Sequence, residues 1–184
     1  MLQITVQGGE SYDEETNLFN YGKPYELRLE HSLVSISKWE MKWEAPFLKS
    51  VENKSMTDEQ LIDYIKCMTM NQNVPDDVYT RLTMQQISDI WAYTKKKQSA
   101  AWIVRNGKGN ARSGEVVTSD LIYYWMFHYG IDKECEKWHL NRLLMLIDIF
   151  AIKSSPGKKM SKNEILQQNR ALNQARKAKY NTRG

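Results

Sequence analysis

Cysteine, proline and histidine are scarce: 184 residues hold two Cys, four Pro and three His. Cys67 and Cys135 lie far apart and no CxxC pair occurs, so neither a disulfide framework nor a cysteine zinc motif is spelled out. MLQITVQGGE has no signal-peptide pattern, and the two observations together point to a reducing cytosol. HExxH, GxSxG and the Gly-Lys-Ser/Thr phosphate loop do not occur. NGKGNARSG (106–114) resembles a phosphate loop in composition alone. Gly107-Lys108 is followed by Gly109, and the stretch precedes an expected strand, which makes it a hairpin tip. The acids are scattered, and Asp13-Glu14-Glu15 reads as a solvated loop. Cys135 and His139 stand four apart on an expected helix, but zinc needs four ligands, or three plus water. Only Cys67, His31 and His128 remain to join them, so Cys135 is placed in the core and His139 at its edge. No catalytic residue, metal ligand or cofactor is assigned; the expectation is a protein that is not an enzyme.

What is present is aromatic and unevenly charged. Ten Tyr and six Trp accompany an ordinary 26% of charged residues, and the length suits one domain with a sizeable core. The net charge is +4. From Lys153 onwards there are nine basic residues and one acid, Glu164, which leaves the first 152 residues at −4. A mildly acidic body therefore carries a basic tail. Such a tail attracts phosphate. It offers only Tyr180 for stacking, however, and the acidic body argues against nucleic acid as a partner.

Taken in order, LQITVQ (2–7) and YELRLE (25–30) alternate as strands and pair antiparallel. The polar loop between them has room for a hairpin of its own near Asn17 to Gly22. Leu33, Ile36, Trp39 or Glu40, Trp43 and Phe47 follow helical spacing, in an amphipathic helix ending before Pro46. Thr57-Asp58-Glu59-Gln60 and Thr83-Met84-Gln85-Gln86 are capping boxes. The first opens a helix burying Leu61, Ile62, Ile65 and Met68, with Cys67 at its margin. The second opens one reaching about Lys96, with Ile87, Ile90, Trp91 and Thr94 inside; a short turn, DDVYTRL, separates them. AAWIVR (100–105) and EVVTS (115–119) read as strands around the glycine-rich loop. Thr118 to Ile152 is the densest apolar stretch, read as helices 119–129 and 133–152 that meet at Gly130 in the left-handed conformation. The second, with LLMLIDIFAI apolar almost all round, reads as a core helix surrounded by protein; the charges of KECEKWHLNR exclude a membrane span. SSPGKK (154–159) is a linker, and Ser161 with Glu164 opens a last helix, to about Lys179, with a thin apolar stripe. The expected architecture is a mainly helical α+β fold, a single compact domain with one or two small β-hairpins and a projecting basic C-terminal helix. Residues 1–153 form the core domain and 154–184 the linker and tail.

Several stretches resemble a family encoded in the tail-gene region of long-tailed bacteriophages (siphoviruses), the tail assembly chaperones. They are LEHSLVSISKWEMKWEAPFL (29–48), YIKCMTMNQNV (64–74), IYYWM (122–126), ECEKWHLNRLLMLI (134–147) and KKMSKNE…RALNQARK (158–177). WHLNRLL (138–144) is the most specific of them. The resemblance implies binding rather than catalysis: a non-catalytic protein of virion morphogenesis that coats the tape-measure protein, recruits tail-tube subunits and leaves before the tail is complete. A permanent virion component, such as a neck or baseplate adaptor, is the competing reading, with a nucleic-acid-binding accessory protein behind it. Self-association is left open. A binder of amphipathic helices offers aromatic and Met-lined grooves. Trp39, Met41, Trp43, Tyr123, Trp125 and Trp138 are the candidates for such a surface, with Arg170, Arg176 and Lys177 in the tail; the plainer alternative for the aromatic residues is the core.

Overall fold

The N-terminal ribbon shows how few strands can be made stable. In the computed structural model, which describes residues 1–13, 17–101, 115–154 and 166, β1 (Leu2–Val6) pairs antiparallel with β4 (Tyr25–Leu29). Leu2, Ile4 and Val6 stand opposite Leu29, Leu27 and Tyr25, so strand alternation turns one apolar face to the core. β2 (Glu10–Asp13) and β3 (Leu18–Tyr21) form a second hairpin within the connection. The chains cross at its base so closely that a Cβ on Gly8 would lie 1.6 Å from the Gly22 carbonyl oxygen, which only glycine permits. An open two-stranded ribbon leaves two unpaired edges, and here both are occupied. Thr69 to Asn71 lie along β4, with Met70 N–H donating to Arg28 O, and Asn71 both accepting from Arg28 N–H and donating to Glu26 O. On the β1 side, Gln86 donates to Thr5 O and Arg81 to Gln7 O.

Among the described residues seven α-helices and one 3₁₀ turn make up the rest of this mainly helical α+β domain. They are α1 (Leu33–Trp43), α2 (Phe47–Glu52), α3 (Asp58–Met68), α4 (Asp76–Thr80), α5 (Met84–Thr94), α6 (Ser119–His128) and α7 (Leu140–Ser154). The capping boxes at Thr57 and Thr83 form as written, each side chain accepting from the third amide while the glutamine answers the cap N–H. Thr118 caps α6. The far end of α6 closes as a Schellman turn: Gly130 has φ +64, its N–H donates to Phe127 O, and Ile131 N–H donates to Met126 O. None of the helices described is long and apolar enough to cross a membrane.

The chain divides into two units, Met1–Ala151 and Ile152–Gly184. Of the second, residues 152–154 and Leu166 are described; the capping box at Ser161 and most of the last expected helix lie outside the described residues. In the first unit Trp39, Phe47 and Tyr64 are the largest fully buried side chains. Phe47 meets Trp39 edge-on at 5.2 Å and lies 4.0 Å from Tyr64, which stacks on Trp91 at 6.0 Å. Such pairs add to the apolar burial.

Three expectations are corrected. The helix read as 133–152 is a 3₁₀ turn (Lys133–Lys137) followed, after Trp138-His139, by α7. Cys135 and His139 therefore do not share a helix face. Residues 115–118, read as a strand, have no regular structure; their end serves as the cap of α6, and the rest of that hairpin (102–114) lies outside the described residues. The apolar run of α7 is buried along one row only, Leu140, Leu143 and Ile147, while Leu144, Leu146 and Phe150 are half-buried and Ile152 is exposed. Truncating the fully buried Leu143 to Ala should cost about 2–5 kcal/mol and Leu146→Ala clearly less. Urea denaturation giving equal costs, or less than about 0.5 kcal/mol at Leu143, would contradict this row.

Candidate functional site

The break before α7 gathers a connected group of buried polar side chains. A helix leaves its first amides without intrahelical partners of the regular kind, and those of Leu140, Asn141 and Arg142 are met here. Leu140 N–H donates to His31 O at 2.7 Å, Arg142 and Leu143 N–H both donate to His139 O, and Asn141 N–H donates to His139 Nδ1 at 3.3 Å. Accepting at Nδ1 leaves the proton of the neutral ring on Nε2, and Nε2 lies 3.1 Å from Tyr93 O, where it donates. His139 is thus an imidazole N-cap pinned to the end of α5. Its ring meets that of His31 edge-on at 5.1 Å. His31 Nδ1 lies 2.5 Å from the Tyr64 hydroxyl, and Ser35, which closes a capping box with Ser32, lies 3.4 Å beyond. Burial and the neighbouring His139 push the His31 pKa down to about 3, burial also lowers that of His139, and burial raises that of the Tyr64 phenol. Both rings are therefore neutral structural joints at neutral pH. Among the described residues no three His, Cys, Asp or Glu side chains are grouped as metal ligands would be.

The outer surface has a second feature, a cleft of about 480 Å³ between α1 and the start of α6. It is lined by Met41, Glu44, Ala45 and Pro46 on one side and by Val116 and Asp120 on the other. Glu40 holds its walls together: Oε1 accepts from Phe47 N–H at 2.9 Å and Oε2 from Ser119 N–H at 2.7 Å. One carboxylate thus serves the first turns of α2 and α6, where its charge suits the helix dipoles. Glu44 ends α1 with φ 48, a left-handed conformation that costs a non-glycine residue roughly 1 kcal/mol and turns the chain into α2. Beyond the cleft, Tyr124 and Phe127 continue from Asp120 along one face of α6 and are 60% and 66% exposed.

The sequence candidates sort unequally. Trp39 is fully buried with its indole N–H donated to Gln60 O, so it has no surface to offer a partner. Trp43 is half-buried and donates to Asp63, which also pairs with Lys42. Tyr123 donates to Glu136, Trp125 packs on the core, and Trp138 lies under the Arg142 guanidinium at 4.0 Å. Met41, at 76% exposure, is the one candidate of the body that stands open. Arg170, Arg176 and Lys177 lie outside the described residues. Val116, Tyr124, Phe127 and the acids Glu44 and Asp120 were missed. Placing Ile122 and Met126 in the core would have left Tyr124 and Phe127 on the opposite face. No family model, curated protein or solved structure matches the chain.

Two outcomes follow from this geometry. The folded pKa values of His31 and His139 lie below the unfolded value near 6.5, so the unfolded chain takes up protons first as the pH falls. The stability these rings provide is complete above about pH 6.5 and is lost towards the folded values. His31 alone should remove about 1.5 kcal/mol between pH 6.5 and 5, and His31→Asn should flatten that slope in urea titrations. Glu40→Gln turns a donor towards one of two backbone N–H groups and should cost about 1–3 kcal/mol, read as a lower urea midpoint.

Proposed function

We propose that the chain is a non-catalytic tail assembly protein of a long-tailed bacteriophage, a chaperone that binds the tape-measure protein and recruits tail-tube subunits. The observation that carries this reading is the open apolar strip formed by Met41, Val116, Tyr124 and Phe127. Single exposed apolar residues are ordinary, but a strip running from a cleft along one helix face is the kind of surface that takes another protein. It fits the helix-in-groove mode, in which an amphipathic helix lays its apolar face against a preformed surface. The stretches that resemble the tail assembly chaperones agree with it: LEHSLVSISKWEMKWEAPFL (29–48) contains α1 and the turn into α2, and IYYWM (122–126) forms the middle of α6. The assignment to catalysis of any residue has no support in the buried histidine pair, whose rings are committed to backbone and phenol partners.

Co-expression with the tape-measure and tail-tube proteins should yield a complex that survives gel filtration, while purified particles should lack the chain. Met41→Asp should weaken the complex without lowering the melting temperature, and removing 154–184 should weaken it while leaving the domain folded. Retention in mature particles would instead mark a permanent component. Failure to capture either tail protein would overturn the assignment.

A further inference from the structure

The α1–α6 cleft also constrains the charge of what it binds, and this inference rests on the protein-binding reading above. Glu44 and Asp120 stand exposed on opposite rims, and no Lys or Arg lines the cleft among the described residues. The two lysines of α1 are on another face: Lys42 pairs with Asp63 of α3, and both Lys38 and Lys42 lie close enough to Cys67 of α3 to act on its thiol. The cleft is thus acidic at its rims and apolar between them, through Met41 and Val116. Anionic partners are repelled by such a surface. A long aliphatic stem ending in a cation satisfies both chemistries at once, the stem covering apolar surface while the charge stays at the wet rim.

We propose that the cleft receives a basic amphipathic helix of the partner, its Lys or Arg stems lying over Met41 and Val116 and their charged ends paired with Glu44 and Asp120. The apolar face of that helix continues onto Tyr124 and Phe127. Seven residues separate Asp120 from Phe127, about 10 Å along α6, so a partner helix of two to three turns spans the strip. Rim ion pairs contribute little each. The apolar strip therefore supplies most of the affinity, and the acids supply the choice of partner and the speed of encounter.

The test uses the full chain carrying ¹³C-methyl methionine and two synthetic helical peptides of about 18 residues, long enough to hold several turns. Both peptides share one leucine face; one carries Lys and Arg elsewhere and the other Glu. The basic peptide should bind and shift the Met41 methyl signal, leaving Met70 and Met84, exposed elsewhere, unmoved. Glu44→Gln combined with Asp120→Asn should weaken binding about three- to tenfold, as should raising the salt from about 0.05 to 0.5 M. Met41→Ser, a change at an open position, should weaken it independently of any effect on folding. Equal binding of the acidic peptide, an unmoved Met41 methyl or unchanged binding by the variants would overturn the proposal. Capture of a tail protein by the double variant at full strength would sink the charge inference and leave the tail-assembly reading standing. Binding of the basic peptide at the cleft without capture of any tail protein would do the reverse.

Discussion

The contact between His31 and His139 is the joint on which the fold depends. At this point the end of β4, the cap of α1, the middle of α3, the end of α5 and the start of α7 come together. Each ring is buried, so an unmet nitrogen there would be costly. The cost is avoided because each partner is a fixed group: a backbone carbonyl, a backbone amide or the Tyr64 hydroxyl. Among the described residues no buried side-chain nitrogen or oxygen is left without a partner. A network satisfied this fully specifies a single arrangement, since any shift of one element leaves a donor or acceptor of another unpaired.

Glu40 does for the surface what the histidines do for the interior. Its two oxygens tie the starts of α2 and α6 to α1 and so set the width of the cleft beside it. The same helix thus presents Trp39 to the core and Met41 to solvent, two residues apart. Charge-assisted bonds to backbone thus fix the elements that carry Met41 and Val116 on either side of the cleft. That combination of rigid walls and uncovered apolar side chains is the ground of the binding proposal.

Much of the fold could be read from local pattern. The caps at Thr57, Thr83 and Thr118 and the Gly130 turn are decided within a few residues, and each forms where the pattern places it. The β1 and β4 alternation likewise predicts its own register. Less was legible where a distant partner decides. Tyr64 is absent from the buried face that spacing gives this helix, yet it is fully buried, with its hydroxyl met by His31. Asp63 beside it is buried for the same reason, through Lys42 and Trp43. The interruption at Trp138-His139 carries no Gly or Pro, so nothing local announces it.

By itself the sequence determined the starts of α3, α5 and α6, the strand pairing, the acidic body with its basic tail and the need for an aromatic core. Those follow from side-chain chemistry acting over a turn or two. Only the tertiary structure decided which aromatics are inside. α6 is apolar on nearly every side, so periodicity could not choose between the face of Ile122 and Met126 and that of Tyr124 and Phe127. It also decided that His139 begins a helix rather than continuing one. The acceptors that make this favourable, Tyr93 O and His31 O, come from α5 and the end of β4, and they exist only once those elements have packed together.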